Sequence, residues 1–252
     1  MRVVYGLNPV RELLRAGGQE VAELWFADGG ERSRAVAEIE RLAAGTGAKV
    51  RRAPRARLDR LAGLPGHQGV VAVVGDYRYA ELGDVLEAAR RREEPPLVVL
   101  LDGVEDPQNL GAIARSAHAL GAHGLVIPRD RAAGVTPAAA KASAGAVEHL
   151  AVVRVTNLAR TVEELKEDGV WAVAADAGGD RDLAEVDLRG PIALVVGGEG
   201  RGVRDLVRRT CDHVARIPMA GRVGSLNASV AAGIALYEAS RQRRESSKTK
   251  MT

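Results

Sequence analysis

From residue 97 onward the chain alternates short apolar runs with stretches of helical spacing. The runs are PLVVLLDG (96–103), GLVIP (124–128), LAVVRV (150–155), VWAVAADA (170–177), PIALVVGG (191–198) and HVARIPM (213–219). Each is rich in Val, Leu, Ile or Ala and bounded by Gly, Pro or Asp. Continuous apolar runs of this length predict strands buried on both faces, and hence a mostly parallel sheet. Helical patterns fall between them at 109–120, 157–168 and 203–210, with a longer one from 227 to about 244. The end, RQRRESSKTKMT, is polar and expected to fray.

The first third reads differently. A helix is expected over 8–15, a strand over 21–27 (VAELWFA), a helix over 33–44, a strand over 49–53 (KVRRA), a short helix over 55–61 and a strand over 69–75. These close a small α/β domain over 1–76. Residues 77–96 carry a charge-rich helix ending in a Pro pair and read as a linker, which leaves 97–252 as a larger second domain.

Composition narrows the picture. Aromatic residues make up 3% of the 252, so the cores must be built from aliphatic side chains. A single cysteine, Cys211, forms no internal disulfide and nucleates no cysteine-based zinc site, and it reads as a buried small hydrophobe. The five histidines show no metal-ligand spacing, so no metal is expected. No apolar run is long enough to cross a membrane and MRVVYGLNPV lacks a signal-peptide core, which predicts a cytoplasmic protein. The net charge is only +3, but residues 1–78 hold 13 Lys/Arg against 9 Asp/Glu. Within that third Lys49, Arg51, Arg52, Arg55, Arg57 and Arg60 form a basic strand and turn, either a grip for RNA phosphates or a solvated arginine-rich surface.

In open parallel sheets, ligands bind beyond the carboxyl ends of strands, so the residues that follow each apolar run are the informative ones. Three segments stand out. In LLDGVEDPQNLGAIARSAHALGA, Asn109 or Gln108 is placed to cap a helix over 110–120. Arg115 is six positions beyond Asn109, so the two share one rim only if Asn109 sits in the loop. LVVGGEGRGV fails the dinucleotide fingerprint, because Val203 stands where the third Gly is required, and it carries no Walker lysine. What remains is a Gly-rich turn presenting one carboxylate, Glu199, either to a ligand or as a cap for the next helix. In IPMAGRVGSLNAS, Ser225 is placed as N-cap with Asn227 in the first helical turn. No histidine or acid stands beside Ser225 to make it a hydrolase nucleophile.

Together the three segments resemble the motifs of the SpoU-type RNA 2′-O-ribose methyltransferases of the SPOUT superfamily. N-x-G-x-x-x-R appears as Asn109, Gly111 and Arg115, G-x-E-G as Gly197 to Gly200, and the third motif as IPMAGRVGSLNAS. The opening YGLNPVRELLR resembles the start of the small ribosomal-protein-like RNA-binding domain found in rRNA-modifying members, so the likeness spans nearly the whole chain. It implies an α/β fold with a mostly parallel sheet and a C-terminal deep trefoil knot, preceded by that RNA-binding domain. It further implies S-adenosyl-L-methionine as cofactor, its adenine against Ile217, Met219 and Leu226, with backbone groups around Gly197, Ile217 and Leu226 hydrogen-bonding it and Gly198 in the same cofactor site. The family proposal makes Arg115 the base; a guanidinium pKa above about 12 favours it instead as phosphate anchor and possible proton acceptor, with Glu199 holding or activating it and Asn109, Ser225 and Asn227 orienting ribose and cofactor. Family members are homodimers in which each site borrows from its neighbour.

Within the family the chain resembles the members that methylate a guanosine in the peptidyl-transferase P loop of 23S rRNA, which makes that guanosine the expected target. Members acting on a tRNA D-loop guanosine share the motifs but typically lack the N-terminal domain, and antibiotic-resistance members acting on an rRNA adenosine carry one. A non-catalytic RNA-binding or ribosome-assembly protein is the reading from another class.

Overall fold

The computed structural model describes residues 1–29, 33–63, 65–200, 202–222 and 224–249. The chain runs β1 (Arg2–Tyr5), α1 (Leu7–Ala16), β2 (Val21–Ala27), α2 (Arg34–Ala43), β3 (Lys49–Ala53), α3 (Arg55–Ala62), β4 (Val70–Val74) and α4 (Leu82–Arg91). It continues with β5 (Leu97–Asp102), α5 (Pro107–Ala119), β6 (Gly124–Pro128), α6 (Pro137–Ala142), β7 (Ala151–Val155), α7 (Leu158–Glu167), β8 (Trp171–Ala175) and β9 (Arg181–Asp182). β10 (Ile192–Gly197), α8 (Asp205–Thr210), β11 (His213–Arg216) and α9 (Ala228–Thr249) complete it.

Two sheets result. The first has the order β1-β4-β2-β3, and the second β7-β6-β5-β10-β8-β11-β9 with every pairing parallel. The six apolar runs from residue 96 onward are strands of the second sheet. Val98, Leu100, Ala193 and Val195 pack on one face, Val99, Leu101, Leu194 and Val196 on the other, so both faces are covered.

Three elements escape the sequence pattern. β1 and β9 are too short for a period-two signal to register. α6, PAAAKA, has no amphipathic contrast; its start is marked instead by Thr136, whose hydroxyl accepts from Ala139 N, and by Pro137 at the first helical position. Gly111 has a packing reason, since a Cβ there would stand 2.5 Å from both Ala139 O and Ala142 Cβ, so its absence lets α5 lie against α6.

Residues 77–96 are packed rather than loose. α4 buries Val85 and Leu86 in the core beneath the second sheet, with Ala89 buried on the same helix, and Ala80 bridges to Val153. The seam between the domains is polar and tight. Arg2 donates to both Glu148 oxygens at 2.8 and 3.0 Å, their side chains being 8% and 1% exposed. Tyr77 Oη donates to Val147 O (2.7 Å) and Lys141 Nζ to Gly66 O (2.6 Å). Breaking one partner of a buried ion pair leaves an uncompensated charge, so the seam holds the small domain in a defined pose.

The C-terminal stretch expected to fray is helical through Thr249, while residues 250–252 lie outside the described ones. Arg243 explains the order: it donates to Pro95 O (2.7 Å), Pro96 O (3.0 Å), Leu188 O (3.2 Å) and Gly190 O (2.6 Å), at the entries of β5 and β10. Burial pulls its pKa down to about 10. Among the described residues no helix is long and apolar enough to cross a membrane.

His123 links the fold to pH. Its Nδ1 accepts from Leu97 N (3.0 Å) where the central strand begins, which leaves Nε2 to donate to Glu94 (3.1 Å). Burial first, then the Arg92 charge, hold its pKa below the ordinary imidazole value. The unfolded chain therefore takes up the proton first, so stability is full above about pH 6.5 and lost as pH falls through the folded pKa. The denaturant midpoint should drop between about pH 7.5 and pH 5.5. The drop should be smaller in His123→Asn, which keeps an acceptor without titrating; an equal drop in that variant would assign the effect elsewhere.

Candidate active site

Three loops meet at the carboxyl edge of β5, β10 and β11. The helix after β5 starts earlier than its pattern indicates: Asp106, rather than Asn109 or Gln108, is the N-cap, its Oδ1 accepting from Gln108 N (2.9 Å). Asn109 therefore lies buried in the first turn of α5. Six helical positions on, Arg115 has rotated about 120° away. It is exposed and has no partner among the described residues. The two do not share a rim within one copy of the chain.

β10 ends in the Gly-rich turn. Gly198 bridges to Gly202, donates to Asp102 O (2.8 Å), and is followed by Gly200 at φ +83. The glycines serve the backbone itself as much as any ligand. A Cβ on Gly197 would stand 2.0 Å from Gly202 C, and one on Gly198 2.0 Å from Gly103 O. The turn delivers Glu199, which caps no helix: α8 starts at Asp205, and Glu199 instead accepts from Asn109 Nδ2 (3.2 Å) and from Asn227 Nδ2.

Beyond β11 the expected capping order is reversed. Asn227 is the N-cap of α9, its Oδ1 accepting from Ser229 N (2.9 Å), Ser229 Oγ (2.6 Å) and Val230 N (3.4 Å). Its Nδ2 faces the other way, donating to Asn109 Oδ1 (3.0 Å) as well as Glu199. Ser225, expected to cap, is exposed and lines a cavity instead. Asn109, Glu199 and Asn227 thus form one hydrogen-bonded cluster, to which Ser225 is a neighbour and from which Arg115 is absent.

Two cavities flank this cluster. The first, about 660 Å³, is lined by Gly197, Gly198, Ile217, Met219, Ser225 and Leu226, among others. Met219 and Leu226 are 39% and 36% exposed, apolar side chains left without a full complement of neighbours. Asp176, Asp182 and Arg216 also line it, with Arg216 Nε 2.9 Å from Asp182 Oδ1. The second cavity, about 510 Å³, shares Gly198, Glu199, Gly202 and Ala228 with the first and adds Asp102, Glu105, Asp106, Arg131 and Arg204.

Sequence reasoning passed over these charged residues. The signal available was an acid closing an apolar run, as Asp102 and Asp176 do. Asp102 is fully buried and accepts from Arg204 N (2.7 Å) and Nε (2.6 Å), pinning the segment after the Gly-rich turn to the end of β5. Cys211 is no nucleophile: burial pushes its thiol up to about 12, and Sγ donates to Val207 O (3.3 Å). Among the described residues no group of three or more His, Cys, Asp or Glu stands together as a metal site.

The basic residues of the first third are exposed but divided. β3 is an edge strand. Arg51 pairs with Glu23 (3.2 Å) and lies 5.4 Å from the Trp25 ring centroid, with Arg57 at 5.7 Å over the same ring. Lys49 shares that strand face by alternation, and Arg55 and Arg60 lie on α3. Arg52 emerges on the opposite face, neutralised by Glu40 and set over Phe26.

Comparison with known proteins bears on both halves. Residues 96–237 match the family model described as the SpoU rRNA methylase family, and residues 3–80 match one for RNA 2′-O ribose methyltransferase substrate binding. The chain is 49% identical over 240 residues to YacO of Bacillus subtilis, assigned to the TrmH family of tRNA/rRNA methyltransferases, covering 95% of each. Among solved structures it resembles the SpoU methyltransferase AviRb from Streptomyces viridochromogenes in complex with the cofactor AdoMet: TM-score 0.80, 32% identity, 96% of this chain and 90% of that one. An AdoMet-bound rRNA methyltransferase from Sinorhizobium meliloti gives TM-score 0.77 at 28% identity, over 95% and 87% of the two chains.

The Gly-rich turn yields a paired test. Among the described residues no atom lies within 4 Å of a Cβ placed on Gly200, so Gly200→Ala should lose only the left-handed backbone preference, about 1–2 kcal/mol. Gly198→Ala must displace the 103 loop and should lose more than that. Denaturant midpoints measure both, and equal losses would refute the close-contact explanation.

Proposed function

The chain belongs to the SpoU rRNA methylase family, and from that premise we propose that it methylates the ribose 2′-hydroxyl of a guanosine in the peptidyl-transferase P loop of 23S rRNA. The observation that carries the reading is the Asn109–Glu199–Asn227 cluster, whose Glu199 lines both of two adjoining cavities, one suited to a cofactor and the other to a nucleotide. The N-terminal domain, clamped to the second domain through Arg2 and Glu148, favours an rRNA target over a tRNA one. The protein acts in the cytoplasm.

The cofactor is S-adenosyl-L-methionine. The 660 Å³ cavity fits it: the volume suits a bent nucleoside derivative, Ile217, Met219 and Leu226 offer an apolar wall to adenine, and the side-chain-free Gly197 and Gly198 leave backbone groups within reach. When bound, it supplies an electrophilic methyl group, and the transfer is an in-line displacement by the ribose oxygen, which needs orientation above all. Asn109 and Asn227 hold the Glu199 carboxylate through one oxygen, leaving Oε2 without a partner among the described residues. Ser225 lies along the cofactor wall and orients ribose or cofactor from there. A guanidinium surrenders its proton only above about pH 12, and a neighbouring carboxylate favours its charged form further. Arg115 is accordingly the RNA phosphate anchor held by Glu199, rather than the base.

Arg115 reaches that position from a second copy of the chain. α9 exposes Val230 (48%), Ile234 (39%) and Tyr237 (55%) at helical spacing, and α9 packs against the helix that carries Arg115. Burying such a stripe is the ordinary driving force for a homodimer. It would cover the apolar face and bring Arg115 of one copy to the Glu199 of the other. The same reading includes a C-terminal trefoil knot with α9 as the threaded segment, supported by its packing across both α5 and β10. RNA is gripped by Lys49, Arg51, Arg55, Arg57 and Arg60 around Trp25, with Arg52 contributing less because Glu40 already neutralises it.

Mapping 2′-O-methyl sites in rRNA and tRNA from a deletion strain tests the substrate: loss of one P-loop guanosine mark is the expected result, and an intact rRNA pattern with a missing tRNA mark would overturn it. Mixing Arg115→Ala with Glu199→Ala protein tests the shared site. Each alone should be nearly inactive, and the mixture should regain about a quarter of wild-type turnover, since half the dimers are hybrids with one complete site. No recovery on mixing would place Arg115 in its own subunit's site.

A further inference from the structure

The cavity beside the cofactor site carries a charge inventory that leaves two groups over. Asp102 is taken by Arg204, Asp106 Oδ1 caps α5, and Glu199 holds the two asparagines. Glu105 and Arg131 line the same cavity, are exposed, and have no partner among the described residues, not even each other. Their loops are tied together, Ala133 N donating to Val104 O at 2.8 Å. Arg131 holds a left-handed backbone, φ +53, a conformation that a non-glycine residue keeps only where the surrounding structure imposes it.

An unpaired carboxylate in a cavity that must accept polyanionic RNA repels the phosphates unless it meets a donor. The bases differ sharply in what they offer. On its Watson–Crick edge guanine presents N1–H and N2–H as adjacent donors, which match the two oxygens of a carboxylate. Adenine sets an acceptor beside its donor, cytosine does the same, and uracil flanks a single donor with two carbonyls. An unpaired guanidinium suits a phosphate for the converse reason.

We propose that Glu105 selects the target base by accepting from the N1–H and N2–H of guanine, while Arg131 holds the phosphate of the same nucleotide. This rests on the guanosine reading above and names the residues that would enforce it. At about 510 Å³ the cavity is large enough for one nucleotide, and it opens onto the wall that carries Glu199. Glu105 is a specificity-determining residue here, so its loss changes which base is accepted rather than how the cofactor is held.

The test is calorimetric titration of the full chain, saturated with S-adenosylhomocysteine at low salt, with GMP, IMP, AMP and the nucleoside guanosine. Wild type should bind GMP about tenfold or more tighter than AMP, with IMP, which lacks the 2-amino group, between them. Glu105→Gln and Glu105→Ala should bring GMP and AMP together. Arg131→Ala should weaken GMP and AMP alike and leave guanosine unchanged. A GMP preference retained in both Glu105 variants overturns the assignment to Glu105 alone. AMP binding as tightly as GMP in wild type, or no saturable GMP binding at millimolar concentration, overturns this proposal; the methyl-site map then decides separately whether the target is a guanosine.

Discussion

One carboxylate oxygen, Glu199 Oε1, receives amide donors from Asn109, 90 positions earlier in the chain, and Asn227, 28 positions later. Every larger feature of the second domain serves that meeting. The order β5-β10-β8-β11 sets the carboxyl ends of β5 and β10 side by side and brings the chain leaving β11 back across them. The glycines at 197 and 198 let the β10 turn close on itself and on the 103 loop. Asp102, buried at the end of β5, fixes the same turn from below through Arg204. With the backbone held this way, two neutral amides and one acid keep their relative positions through hydrogen bonds to one another.

The placement of Asn227 shows how little such a site asks of each residue. One end of its amide caps α9, a contribution of about 1 kcal/mol to helix stability, and the other end faces Glu199. The functional group is thus held by the helix it starts. Arg243 does the corresponding work at the opposite end of α9, where a guanidinium among four backbone carbonyls ties the helix to the entries of β5 and β10. A helix anchored at both ends keeps a well-defined surface between them, and the exposed Val230, Ile234 and Tyr237 lie on that surface.

The small domain bears on the site through the seam. The buried Arg2–Glu148 pair is expensive in desolvation, and Glu148 is pushed above the usual carboxylate range by its burial despite the guanidinium beside it. Gln19 adds a third contact to the same carboxylate at 3.0 Å. Such a joint specifies orientation more than it adds stability. It holds the Trp25 surface with Arg51 and Arg57 in fixed relation to the two cavities.

The sequence by itself determined the strands of the second sheet and the three segments that end at the site. Burial on both faces leaves an unbroken apolar run, and that record is local: β5 and β10 are visible in LVVLLD and IALVVG without knowledge of their neighbours. It also determined that Asn109, Glu199, Ser225 and Asn227 follow strands. Only the tertiary structure decided which of them touch, because a contact between residues 118 apart depends on strand order and on register, neither of which is written in either segment. The same limit hid β1 and β9, whose pairing partners define them more than their own residues do. It governed the two arginines as well. Arg115 belongs to the sequence motif, yet helical rotation turns it away from the cluster, while Arg131 belongs to none of the three segments and lines the cavity because its loop is bonded to that of Glu105.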